Sequence, residues 1–536
     1  MKIKLSMLIV VLSLLYGKLG ATDYCFYIQL TDKNNSPYTL SNPADYLSAR
    51  AIERRAFFNI PIDSTDLPVN PQYVTQLANK GLQVFATTKW LNGVTVVLND
   101  STQIEQAKSL PFVKSVQYTG LLPDNKNLSP APSKTKTAEY NYGDAEQQIN
   151  LHNGKYLHQN GYTGENIHIA IFDTGFRGVN ANPAFKLLRD EGRLIDTKDF
   201  VNPQSDIFTE NIHGAFTLST MAAEINDFYI GTAPKASYLL IKTESFYDEY
   251  LFEPDLWISG AEYADSLGVD VMTTSLGYTT FDDPAMNYTY SDLDGKTARA
   301  SIAANMAFEK GILVVNSAGN EGNNDWKYIS VPADAEGVIT VGSVTKDSVH
   351  NIFSSLGPTY DGRIKPNLCA IGSSTALLDI DGSLTYGSGT SFSTPIIAGL
   401  VACYLQAAKT LQPSLTLQEI KNNIYESANQ YSNPNNKVGY GIPDFKKALN
   451  KILLNSLIQI SDNNTKNKVF KVYIREDNTK QILQIPTEKT HSSGVLSLYS
   501  TSGQLILRQK FTHPMIQLDT KGLPKGIYIL KIENLP

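Results

Sequence analysis

A serine hydroxyl can attack a carbonyl only if a base takes its proton, so the residues of interest are a serine, a base, an acid to hold that base and a donor for the developing oxyanion. Ser391 lies in Gly389-Thr390-Ser391-Phe392-Ser393-Thr394-Pro395, directly before the apolar run that begins Ile396-Ile397-Ala398-Gly399-Leu400. That run is too short to cross a bilayer and suits a buried helix, which puts Ser391 in the first helical turn. There the unpaired backbone N–H groups and the positive end of the helix dipole favour an oxyanion. Gly389 lets a substrate backbone approach, and Pro395 is tolerated so early in a helix. Alone, the motif would read equally well as an N-cap on a core helix.

Asp173 closes the apolar segment Ile167-His168-Ile169-Ala170-Ile171-Phe172 and precedes Thr174-Gly175, which sets a carboxylate at the end of a strand. A turn-capping aspartate has the same signature. His213 stands at a loop-to-helix junction, before the small residues Gly214-Ala215, and the helix dipole should resist charging of its imidazole. Asn320 sits in the Gly-rich loop Ala318-Gly319-Asn320-Glu321-Gly322 after the apolar strand 312–317, where a side-chain amide can serve an oxyanion or merely a turn. Other chemistries lack their residues: the chain has no H-E-x-x-H and no phosphate-binding G-x-x-x-x-G-K-[ST]. Nor is the serine in G-x-S-x-G; the acid and the histidine both precede it, the wrong order for an α/β-hydrolase.

These residues need a scaffold. At 536 residues, 42% hydrophobic and 18% charged, the chain can bury a large core and should hold more than one domain. A formal net charge of -6 without a Lys/Arg block argues against nucleic acid as a partner. Lys2 and Lys4 before the apolar stretch 5–16, then Gly17, Gly20 and Ala21, form a secretory signal at 1–21, and no later segment is expected to span a membrane in the mature chain. Only three cysteines follow, Cys25, Cys369 and Cys403, so neither a disulfide scaffold nor a zinc site is expected.

Residues 22–120 read as a small α+β domain, with strands at 26–30, 82–87, 93–98 and 113–118 and helices at 43–55, 71–80 and 102–110. A Pro- and Lys-containing linker at 121–142 follows. From 143 to 454 apolar strands alternate with helices, the pattern of a doubly wound parallel sheet whose ligands bind at the carboxyl ends of the strands. Strands fall at 167–172, 238–242, 269–275, 312–317 and 338–341, and helices at 213–224, 256–267, 298–310, 391–408 and 417–427. Residues 455–536 carry short strands and turns, among them Ser502-Gly503, and form a separate β domain.

Asp173-Thr174-Gly175, His213-Gly214, Gly319-Asn320-Glu321-Gly322 and Gly389-Thr390-Ser391 through Pro395 together resemble, in order, the four signatures of the subtilisin-like serine proteases, the subtilases. The resemblance implies an α/β fold with a subtilisin-like, mostly parallel sheet, flanked by an α+β prodomain and a C-terminal β-sandwich-like domain. It also implies a secreted serine endopeptidase, made as a zymogen, that hydrolyses peptide or protein substrates through an acyl-enzyme. In that family's terms Ser391 is the nucleophile, His213 the base, Asp173 its orienting acid and Asn320 the oxyanion donor. Ser275, Leu276 and Gly277 would bind extended substrate backbone. No cofactor is required; the family often binds structural calcium, for which no ligands are evident here. Phe353-Ser354-Ser355-Leu356-Gly357-Pro358 and Lys365-Pro366-Asn367 resemble a further family segment, with Asn367 where an aspartate is usual. The segments 498–504 and 523–532 resemble the C-terminal sorting domain of the Bacteroidetes type IX secretion system, implying that machinery as a partner and a cell-surface or extracellular location. The rival is an adhesion or scaffold protein on an inactive protease fold, which intact catalytic residues oppose.

Overall fold

The computed structural model describes residues 23–122, 140–246 and 248–458, and in the C-terminal region 467–474, 481–484, 494–500, 504–511, 515–518 and 526–534. The expected leader at 1–21, most of the expected linker and the Ser502-Gly503 turn lie outside the described residues.

The central element is a seven-stranded sheet. Its strands are β5 (His168–Asp173), β6 (Leu194–Asp199), β7 (Ser237–Lys242), β8 (Val271–Thr274), β9 (Leu313–Ser317), β10 (Ile339–Val344) and β11 (Leu368–Ile371). They lie in the order β11-β10-β9-β8-β5-β7-β6, every neighbouring pair parallel. Side chains alternate between two cores: Ile169 and Ile171 of β5 enter one, Ala170 and Phe172 the other. Such strands are covered on both faces, which is why they read as unbroken apolar runs. The first core packs beneath α3 (His213–Ala222) and α6 (Thr390–Leu411), the second beneath α4 (Glu253–Leu267) and α5 (Arg299–Glu309). The winding reverses between β5 and β8, so the carboxyl ends of these neighbours open the crevice where ligands bind in such sheets.

Sequence and structure differ at the margins. The apolar run after Ser391 extends into a helix of 22 residues, long and apolar enough to cross a membrane, but 94% of its apolar window is buried inside the fold. The edge strand β6, Leu-Ile-Asp-Thr-Lys-Asp, escapes the sequence reading because three of its six residues are charged, which a strand at the solvent edge tolerates. β11, Leu-Cys-Ala-Ile, escapes it as well.

The N-terminal unit is an antiparallel sheet of β1 (Asp23–Leu30), β2 (Gln83–Thr88), β3 (Gly93–Leu98) and β4 (Val113–Leu122), ordered β2-β3-β1-β4. β4 runs two residues into the stretch expected as linker. The helix expected at 43–55 is broken: a 3₁₀ turn spans Pro43–Asp45, and α1 (Ala49–Phe57) starts afresh after Ser48, whose side chain accepts a hydrogen bond from the Ala51 N–H. The expected helix 71–80 is α2 (Pro71–Asn79), and that at 102–110 resolves into a 3₁₀ turn, Ser101–Ile104, and one helical turn, Glu105–Lys108. In the C-terminal region Asn467–Ile474, Gly526–Asn534, Gly494–Ser500 and Leu505–Phe511 form a four-stranded antiparallel sheet, and Gln481–Gln484 pairs with Met515–Leu518.

The N-terminal unit docks on α4 and α5. Glu262 accepts the backbone N–H of Lys89 at 2.6 Å and of Trp90 at 2.8 Å, while Ser259 donates to the Thr87 carbonyl at 3.1 Å. Trp90 joins the core beneath these helices. α1 reaches the opposite end of the sheet from the crevice: Arg54 donates to the Val269 carbonyl at 2.5 Å and pairs with Asp265, which also binds Arg55 at 3.0 Å. Burial alone would raise the Asp265 carboxyl; Arg54, Lys89 and Arg55 outweigh it and hold the group well below the usual carboxylate range.

Arg54 is 3% exposed, so Arg54→Ala strands Asp265 short of its main partner. Breaking a buried pair costs about 3–5 kcal/mol. Hydrogen exchange on protein kept uncut by Ser391→Ala should show the amides of residues 23–122 exchanging faster when Arg54→Ala is added. Unchanged exchange would mean that the pair does not hold the unit in place.

Candidate active site

Asp173 ends β5 and is fully buried. Its Oδ1 accepts from Thr174 N–H at 2.8 Å and from His213 Nδ1–H at 2.8 Å. Thr217 donates to Oδ2 at 3.4 Å from a position one turn beyond His213 on α3. That i+4 spacing was a signal the sequence reading passed over. A carboxylate on Nδ1–H fixes the tautomer in which Nε2 is bare and faces away from Asp173.

His213 opens α3 with 27% of its side chain exposed. Burial is the largest single influence and lowers its pKa, but the charge and hydrogen bond of Asp173 together raise it above the ordinary histidine value. This corrects the expectation from the helix dipole: a buried carboxylate in hydrogen-bond contact outweighs the partial charge of a helix end.

Ser391 is the second residue of α6, as expected, yet Pro395 falls in the second turn rather than at the tolerated first position. Lacking an N–H, Pro395 leaves the Ser391 carbonyl without its i+4 donor. Ser275, just past β8, supplies the replacement: its Oγ donates to the Ser391 carbonyl at 2.8 Å. The Ser391 Oγ in turn donates to the Ser275 carbonyl at 3.0 Å, and no hydrogen bond joins it to His213. Contacts between a hydroxyl and a base in such sites commonly tighten only around substrate. The ring of Phe392 lies 5.8 Å from that of His213 and keeps the imidazole against α6.

Asn320 follows β9. Its Oδ1 accepts from the Thr390 N–H at 2.9 Å and the Thr390 hydroxyl at 3.0 Å. Only an oxygen can accept the Thr390 N–H, so the amide is fixed with Nδ2 as the free donor. Thr390 is a positioning residue that the sequence reading did not single out. A Cβ on Gly389 would stand 3.6 Å from that Nδ2, beside the place an oxyanion would occupy.

His213, Asn320 and Ser391 line one cavity of about 530 Å³, together with Ser275, Leu276 and Gly277. The Leu276 carbonyl accepts from Asn316 at 3.1 Å and Ser317 at 3.2 Å, which pins this segment to β9. All seven residues singled out for catalysis or substrate binding therefore cluster at the carboxyl ends of β5, β8 and β9.

Asn367 lies elsewhere. Its Oδ1 is one of four oxygens around the buried Lys365 amine, at 3.1 Å, with the carbonyls of Ala335 at 2.8 Å and Val338 at 2.9 Å and the Thr340 hydroxyl at 2.7 Å. The Lys365 amine fills this cage, and burial pushes its pKa well down, so the cage does not fit a metal ion. Among the described residues no group of three or more His, Cys, Asp or Glu side chains could hold one.

Several known proteins and protein families are similar to this chain. Residues 25–136 match the Peptidase S8 propeptide domain of Bacteroidota, and residues 478–535 the secretion system C-terminal sorting domain, which directs export through the type IX system to the cell surface or the medium. The serine protease AprX of Bacillus subtilis (strain 168) is 30% identical over 291 residues, 48% of this chain and 61% of its own length. Subtilisin NAT of Bacillus subtilis subsp. natto is 26% identical over 359 residues, 67% of this chain and 81% of its own. Among solved structures, the prenylagaramide maturation protease PagA superposes with a TM-score of 0.45 at 23% identity, over 56% of this chain and 98% of that one. Residues 164–441 match the Subtilase family, just over half of the chain and the whole of the crevice, and the chain belongs to that family of serine endopeptidases.

Proposed function

We propose that this chain is a secreted endopeptidase that cleaves peptide bonds through an acyl-enzyme formed on Ser391. The observation that carries the reading is the 2.8 Å hydrogen bond from His213 to the buried Asp173 in a crevice shared with Ser391 and Asn320. Ser391 Oγ attacks the scissile carbonyl as His213 Nε2 takes its proton; the same proton then passes to the leaving amine. Asp173 holds the tautomer and stabilises the imidazolium. Asn320 Nδ2 and the Ser391 N–H at the start of α6 bind the oxyanion, and Ser275 to Gly277 align extended substrate. Water then repeats the sequence on the acyl group. Hydrolysis needs no organic cofactor, and any structural calcium would find its ligands away from the Lys365 cage.

Residues 22–120 fit the role of a prodomain that assists folding and is removed by self-cleavage in or near 121–142. The type IX machinery is the partner that the C-terminal match suggests.

Asn320→Ala should lower kcat about 10²- to 10³-fold, the handicap of one missing oxyanion donor as seen in a subtilisin. Near-normal turnover would remove Asn320 from the mechanism. The rate should fall as pH drops, because a protonated His213 cannot accept the Ser391 proton. Its raised pKa sets that fall above the ordinary histidine value of about 6.5. A rate that stays flat through this range in folded protein contradicts the assignment. Wild-type protein made in a host without competing proteases should mature to an N-terminus between about residue 120 and residue 154. Ser391→Ala should stay uncut; identical masses for the two would exclude self-cleavage. A fluorophosphonate probe should label Ser391, and failure to label would favour an inactive scaffold.

A further inference from the structure

At the end of the sheet away from the crevice, one face of α1 presents Arg50, Arg54 and the capping Phe58 to the catalytic unit. Residues four apart share a helix face, and the two arginines meet mostly backbone oxygens. Arg54 donates from Nε to the Lys310 carbonyl at 3.2 Å and from one terminal nitrogen to the Val269 carbonyl at 2.5 Å. Its other terminal nitrogen donates to the Asp265 carbonyl at 3.4 Å and to the Asp265 carboxylate. Arg50 donates from Nε to the Gly268 carbonyl at 3.0 Å, and from a terminal nitrogen to the Asn166 carbonyl at 2.7 Å and the Asp270 carboxylate.

α4 and α5 both end here, so the negative ends of two helix dipoles converge with two carboxylates on two guanidinium groups. Each helix is followed by a glycine in the left-handed region, Gly268 at φ +83° and Gly311 at φ +90°. Both leave room for α1: a Cβ on Gly268 would fall 2.7 Å from the Ala51 nitrogen, and one on Gly311 3.2 Å from the Phe58 ring.

Every acceptor in these two sites belongs to the catalytic unit, and every cation that fills them belongs to the N-terminal unit. The cationic partners of Asp265 among the described residues, Arg54, Arg55 and Lys89, all precede residue 120. Departure of residues 22–120 therefore uncovers two sets of acceptors spaced for arginines one helical turn apart. A guanidinium, planar and with its donors fixed, matches such a set where an ammonium does not.

We propose that the mature enzyme uses this vacated surface to dock a helix of another protein, one that carries arginines at positions i and i+4 and an aromatic residue at i+8. Such a helix finds the acceptors already in place. It binds at the far end of the sheet, so a protein held there leaves Ser391 free to act. The inference rests on the removal of residues 22–120 proposed above.

The test titrates mature enzyme with fluorescent Ala/Gln-rich helices of about 20 residues, long enough to be helical in water. Ser391 is first blocked with a fluorophosphonate, so that the probes are not cut. One helix carries Arg, Arg and Phe at i, i+4 and i+8, a second carries the same three residues on different faces, and a third replaces both arginines by lysine. The first should bind at least about tenfold more tightly than the others, the scale of one hydrogen bond to a charged group. Its affinity should fall as salt rises. Asp265→Asn in the enzyme should weaken the first helix about tenfold, with labelling of Ser391 showing that the variant is folded. Equal binding of the three helices, or an affinity that Asp265→Asn leaves unchanged, overturns the proposal. An active enzyme that retains residues 22–120 also overturns it, because the surface is never vacated, and leaves the proteolytic reading standing. Absence of both labelling and cleavage would overturn that reading, and this proposal with it.

Discussion

Asp173 is a buried carboxylate paired with no Lys or Arg among the described residues, and much of the crevice follows from how it is satisfied. An ionised group removed from water must find donors or lose its charge. The donors come from three directions: the next residue in the chain, the first residue of α3 and a hydroxyl one turn further along α3. Two of the three require α3 to begin exactly where β5 ends in space, and that placement holds the imidazole over the gap between β5 and β8. The sheet contributes by burying both faces of β5, which leaves its last residue nowhere to turn but the carboxyl edge.

A second constraint meets the first from α6. A proline in the second turn would ordinarily weaken a helix. Here the carbonyl it orphans is tied to Ser275, so α6 is fastened at its first turn to the end of β8. The same turn holds Asn320 through Thr390. Two short contacts from one helical turn therefore hold the Ser391 backbone and the Asn320 amide in place.

The alternation of apolar strands with helices made the central sheet legible, because strands buried on both faces need near-continuous apolar sequence. The residues of the crevice were legible because each stands at the end of such a segment. Less visible were elements governed by exposure or by contacts distant in sequence. β6 carries charge because it is an edge, and α1 is shaped by partners some 200 positions later, Asp265 among them at a separation of 211 residues. Thr217 and Thr390 look like ordinary small polar residues until the carboxylate and the amide they hold are in place. The net shift of His213 was misjudged for the same reason: the dipole belongs to its own helix, whereas the stronger field comes from another element.

Lys365 fills a cage in the wall formed by the loop 332–338 and β10. A free ion in such a place would exchange with the surroundings, and its occupancy would follow the composition of the medium. An amine on a side chain has no off-rate and cannot be sequestered by a chelator. For an exported protein that meets media of changing salt content, the order of this wall is therefore fixed when the chain is synthesised, and it travels with the chain wherever it is released.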